Sequence, residues 1–158
     1  MEDEPTRPYW SWRLGPLILS VALYLLCLPF DTFCVSGQCS RWPGWGVLLF
    51  GPLGLLVSVT NWTWLANPFL FGAWLGLAIG GKLPSVTSGV AALALSLTAL
   101  VIAVSFLFQR QIMTNEGGIL FPITGYRIGY WIWLSSIAVC CFGCMATLEF
   151  SVGQKREE

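Results

Sequence analysis

The chain contains no histidine, and only 10% of its residues are charged. The first absence removes the commonest metal ligand and the usual general base. The second leaves too few ionic side chains to cover a water-facing surface, which normally takes about a quarter of a soluble domain. Eight basic residues balance eight acidic ones, so the basic footprint of a nucleic-acid binder is missing. No charged run is long enough to act as an interaction arm. A small-residue cleavage site is also lacking after the apolar run at 16–30, and the opening Met1-Glu2-Asp3-Glu4 is acidic. Both features speak against a cleaved leader, and the first helix is expected to stay.

Apolar side chains fill the space these absences leave, at 56% of 158 residues. No charge occurs at 14–30, 42–81, 83–109 or 128–148. A crossing helix needs about 20 apolar residues, so the pattern predicts an all-α integral membrane protein forming one membrane domain over 1–158. Trp10, Trp12 and Arg13 precede the first run, and Tyr130, Trp131 and Trp133 open the last. Such clusters mark the headgroup zone.

The block 42–81 is the difficult one. Forty uncharged residues are too many for one crossing and few for two. Trp45–Val59 is fifteen residues long and contains Gly46, Gly51, Pro52 and Gly54. At about 1.5 Å per residue it reaches about 22 Å, short of a hydrocarbon core of about 30 Å. A polar, aromatic break follows, Asn61-Trp62-Thr63-Trp64-Leu65-Ala66-Asn67-Pro68. Pro68 interrupts helical hydrogen bonding, and Asn67 can supply bonds to the freed backbone.

The spans expected are about 14–30, 62–80, 86–108 and 128–148, with a short, broken interfacial or re-entrant helix at about 45–59. Loops fall at 31–44 and 109–127, and a polar tail at 149–158. Five crossings would set four basic residues against four. Four crossings put Arg7, Arg13, Lys82, Lys155 and Arg156 inside and Arg41, Arg110 and Arg127 outside. Only the second satisfies the positive-inside rule. It makes both termini cytoplasmic and joins the two loops on the extracytoplasmic face as a cap.

Two segments, GWGVLLFGPLGLL…NWTWLANP and TNEGG…PITGYRIGYWIWLSS, resemble a group of small uncharacterised bacterial inner-membrane proteins. The likeness covers roughly residues 16–148. It implies a four-helix bacterial inner-membrane protein whose basic turn corresponds to Gly81–Ser85, where this chain keeps only Lys82. It implies no activity.

Cys34 and Cys39 form a C-x4-C pair in the first loop. A structural disulfide, free thiols or a redox-active pair are all open there, the first permitted by an oxidising compartment. In the second loop, paired glycines and Pro122 specify turns around Asn115, Glu116, Tyr126 and Arg127. With Asn61, Trp64 and Asn67, these residues are the candidate binding set. Glu116 is the only carboxylate between Asp31 and Glu149, which is a poor basis for catalysis. No catalytic, cofactor or metal residues are assigned. Gly72, Gly76 and Gly80, spaced by four, allow close helix approach, within the chain or toward a second copy.

The functional expectation is a non-enzymatic accessory or partner-binding subunit acting through the cap. The alternatives are a small transporter, channel or lipid-binding module, and a membrane thiol oxidoreductase using Cys34 and Cys39.

Overall fold

Helices form where leucine and alanine predominate, and they break where proline, glycine and asparagine gather. The structure, a computed structural model, describes residues 10–40, 42–57, 59–79, 86–113 and 119–157. Five α-helices are present among them: α1 Trp10–Cys27, α2 Gly44–Val57, α3 Ala66–Ile79, α4 Val86–Ser105 and α5 Ile128–Glu157. A 3-10 helix, Val59–Leu65, joins α2 to α3, and a shorter one, Phe106–Phe108, closes α4. The molecule is mostly helical. It is not all-α.

Four helices pack in a ring, α1 on α5, α5 on α4, α4 on α3 and α3 on α1. Their contacts run through small residues. A Cβ on Gly76 would lie 2.8 Å from that of Ala92, and one on Gly143 would overlap Pro16. Close backbone approach of this kind drives helix association where no water is available to be released. Ser20 ties three helices together: its hydroxyl donates to the Ser136 carbonyl at 2.7 Å and accepts from Trp74 Nε1 at 2.9 Å. The core around it includes Tyr24, Leu70, Ala99, Ile137 and Cys140, all buried.

Thr87–Phe108 and Ile128–Glu149 are long and apolar enough to cross a bilayer. Leu14–Cys27 and Gly44–Leu56 are apolar but shorter. α3 has 14 residues, about 21 Å of rise, because the 3-10 segment takes the residues up to Leu65 that the sequence assigned to its start. α2 also ends two residues early, at Val57. α5 continues to Glu157, beyond the boundary expected near 148. The turn around Lys82 lies outside the described residues.

The two loops fold into β-structure, and this corrects the all-α expectation. β1 Phe33–Val35 pairs antiparallel with β3 Leu120–Tyr126, which pairs on its other side with β2 Gln111–Met113. The β1–β3 register runs Phe33↔Tyr126 and Cys34↔Gly125, then slips to Val35↔Ile123. After β1 the chain reverses through Ser36 and Gly37, whose positive φ values of 50° and 80° match the two-residue hairpin turn that follows strand twist. Pro122 in the central strand lacks an N–H, but its carbonyl accepts from Ser36 N at 3.0 Å.

Where the sheet meets the helices, three passes of chain cross. Gly44 N donates to Phe30 O, Arg127 N to Thr32 O and Gly129 N to Asp31 O, all at 2.9–3.0 Å. Glycine is required at the crossing: a Cβ on Gly44 would sit 2.8 Å from the Cys27 carbonyl, and one on Gly129 2.7 Å from that of Asp31. Under the sheet lies a second apolar core of Phe33, Val35, Phe106, Ile112 and Tyr130.

Candidate functional site

Two prolines shape the region between the sheet and the ring of helices. Proline removes the N–H that would bond the carbonyl four residues earlier. Pro52 in α2 therefore leaves the Leu48 carbonyl without a helical donor, and Pro68 near the start of α3 does the same to Trp64. Side chains make up both losses. The Trp64 indole N–H donates to Leu48 O at 3.1 Å. Asn67 Nδ2 donates to Trp64 O at 3.1 Å.

The relay then enters the bundle. Asn67 Oδ1 accepts from Tyr24 OH at 3.1 Å and from Trp133 Nε1 at 3.0 Å. One amide, 5% exposed, thus joins α1, α5 and the end of the 3-10 segment. Its neighbour Trp64 lies flat on Gly51, where any Cβ would overlap the indole ring. α2 and the 3-10 segment form an arm that folds on itself at this contact. α2 does not enter the ring of helices.

Between arm, ring and sheet lies a partly enclosed chamber of about 360 Å³, at the small end of ligand cavities, which run from about 300 to 1,000 Å³. Tyr24, Val47, Leu48, Trp64, Phe106 and Trp133 contribute to its wall, and among the described residues no Lys, Arg, Asp or Glu does. Five side-chain donors on the wall are already taken. Those of Tyr24, Trp64 and Trp133 belong to the relay, Thr32 Oγ1 donates to Trp42 O, and Tyr130 OH donates to Ala103 O.

Tyr126 and Arg127 sit apart from this chamber, at the end of β3. Tyr126 OH donates to Phe106 O at 2.7 Å, and its ring packs edge-on against Phe106 with centroids 5.5 Å apart. Burial raises its hydroxyl pKa above the ordinary tyrosine value. The Arg127 side chain is exposed. Asn61 belongs to the 3-10 segment, with its side chain outside the described set, and Asn115 and Glu116 also lie outside the described residues. The candidate binding set therefore divides. Trp64 and Asn67 meet in the relay, while Tyr126 adjoins it through Tyr130, whose ring centroid is 5.0 Å from that of Tyr126 and 5.9 Å from that of Trp133.

Cys34 and Cys39 are disulfide-bonded. Cys34 is 5% exposed and held under the sheet edge. Cys27, Cys140, Cys141 and Cys144 are free thiols buried among the helices. Gly72 and Gly76 face α4, against Leu95 and Ala92, and Gly80 lies outside the described residues.

Sequence reasoning passed over Tyr24, Leu48 and Trp133. The Leu48 role had a signal, since it stands four residues before Pro52. Tyr24 and Trp133 had none, because their approach to Asn67 depends on how three helices pack. No family model, curated protein or solved structure matches the chain.

Proposed function

We propose that this is a multi-pass protein of the bacterial inner membrane in which α1, α3, α4 and α5 cross and α2 is a half-span. Both termini are cytoplasmic, and the sheet is an extracytoplasmic cap. The protein acts by binding and not by catalysis, as an accessory subunit whose membrane partner docks on the cap. The observation that carries this reading is the pairing of β1 with β3. That pairing brings the end of α1 and the start of α5 to one side, and α4 also ends there, at β2. This supports an even number of crossings between the two loops.

Exposed apolar side chains support the membrane placement. Ile18 and Leu25 on α1, Leu56 on α2, Leu75 on α3, Val101 on α4 and Phe142 on α5 are all 60–84% exposed. Contiguous apolar surface of this extent marks a membrane or a partner. The absence of charge among the described residues of the chamber wall argues against an ion path, since intramembrane ionisable groups usually mark one.

Two experiments test the reading. A membrane-impermeant thiol reagent applied to intact cells should label a cysteine introduced at Gln38 and miss one introduced at Lys82. Equal labelling of both would refute the topology. Replacing 114–127 by a short glycine-serine linker should abolish co-purification of a specific membrane partner. A protein that always purifies alone from mild detergent has no such role. A second reading, a lipid-binding module, is favoured by one specific observation, the apolar chamber.

A further inference from the structure

We propose that the chamber between the α2 arm and the helix ring is a binding site for one acyl chain of a bilayer lipid. The proposal rests on the membrane placement above and is independent of the partner reading. Three observations select this occupant.

The first is size. A helix about 10 Å across would fill about 360 Å³ in less than one turn of about 5.4 Å. The chamber thus holds less than one turn of a partner helix, whereas a single hydrocarbon chain is a far slimmer occupant.

The second is chemistry. Among the described residues the wall carries no carboxylate or cation, so a headgroup finds no counter-charge among them. Donors of Tyr24, Thr32, Trp64, Tyr130 and Trp133 are bonded to oxygens of the chain itself. A polar ligand that drew on any of these five would break its bond, leaving a buried carbonyl unpaired at about 1–3 kcal/mol. An apolar chain breaks none.

The third is the construction of the outer wall. α2 is tied at its start to the end of α1, through Gly44 N to Phe30 O and Trp45 N to Leu28 O, and along its body to the 3-10 segment. Its Leu49 and Leu56 are 64% and 84% exposed and lie off the chamber wall, while Val47, Leu48 and Leu53 on the same helix line the chamber. In a bilayer both faces of α2 would meet hydrocarbon, acyl chains of the surrounding lipid outside and one sequestered chain inside. The chain is held there by packing alone.

The test uses the full-length protein in vesicles of phosphatidylethanolamine and phosphatidylglycerol, with a trace of phosphatidylglycerol carrying a diazirine at one acyl terminus. After illumination, adducts are mapped by mass spectrometry. Tyr24 is 5% exposed and Ile18, on the same helix, is 64% exposed. Lipid that only coats the outside labels Ile18 and spares Tyr24. A chain in the chamber labels Tyr24, Val47 and Leu48 at or above the level of Ile18. Val47→Trp, which fills the chamber, should lower the Tyr24 adduct about ten-fold, corresponding at sub-saturating lipid to about 1.4 kcal/mol, with Ile18 unchanged. Leu48→Trp serves the same purpose if Val47→Trp does not fold.

Adducts confined to Ile18 and other outer positions overturn the site. A Tyr24 adduct displaced by free fatty acid but not by excess phospholipid overturns the bilayer-lipid source. Release of the protein from membranes by alkaline carbonate, with background labelling throughout, overturns the membrane placement itself.

Discussion

α1 and α2 are two apolar helices with an interior proline each, Pro16 and Pro52, yet only one of them joins the bundle. Pro16 is received by α5 at Gly143, whose missing side chain makes room for the ring. Pro52 stands beside Gly51, and the space there is filled by Trp64 from the chain's own next segment. One proline therefore becomes a contact between helices. The other becomes the hinge of an arm, with its orphaned carbonyl bonded by the same tryptophan. Similar composition gives different roles because the receiving surface differs. A glycine on a neighbouring helix recruits the element; a local tryptophan keeps it out.

The largest effect should come where the two regions are tied together. Asn67→Leu removes the acceptor of Tyr24 and Trp133 and the donor to Trp64 O. Unpaired buried groups at about 1–3 kcal/mol each predict a loss of about 3 kcal/mol or more, measured by thermal unfolding in detergent. An unchanged midpoint would show that arm and ring do not communicate through this amide.

Next comes the glycine pair. Gly143→Ala should lower the melting midpoint of the whole protein, by the 1–3 kcal/mol or so typical of overpacking. Gly51→Ala should leave that midpoint nearly unchanged and instead raise hydrogen exchange in 44–57. If both variants behave alike, the distinction between arm and ring is wrong.

Trp64→Phe keeps the ring on Gly51 but removes the N–H bonded to Leu48 O. About 1 kcal/mol is expected, with faster exchange of amides in α2 as the readout. Exchange that rises equally in α1 would contradict a local role.

The smallest effect concerns the cap. Tyr126 donates its hydroxyl proton to Phe106 O, and burial raises its pKa above an unfolded value of about 10. Its contribution is therefore complete below about pH 10 and lost as pH climbs through the raised folded value. Tyr126→Phe should flatten that part of the alkaline stability profile. An identical profile in the variant would assign the slope to another group.

Part of this architecture was legible residue by residue. The helical runs, the break between Asn61 and Pro68, and the shortness of α2 follow from the placement of proline, glycine and charge. The sheet was not legible. β1 has three residues, and β3 contains Pro122 and Gly125, both of which read as turn formers. Its pairing spans about ninety positions of sequence, beyond the reach of local pattern. The chamber was equally invisible, because its wall draws on α1, α2, the 3-10 segment, β2 and α5 at once. Of the residues singled out in advance, Trp64 and Asn67 fall on that wall because prolines demand partners at fixed spacing. Tyr126 and Arg127 fall elsewhere.

By itself the sequence determined that this chain is mostly helical, apolar over four long stretches and without histidine. These follow from composition and from periodicities shorter than a turn or two. Only the tertiary structure decided that the two polar loops share a sheet, that α2 stays outside the ring and that Asn67 joins three elements. Each depends on which surfaces meet across long separations in sequence, and a close contact between a glycine and a distant ring leaves no trace in local pattern.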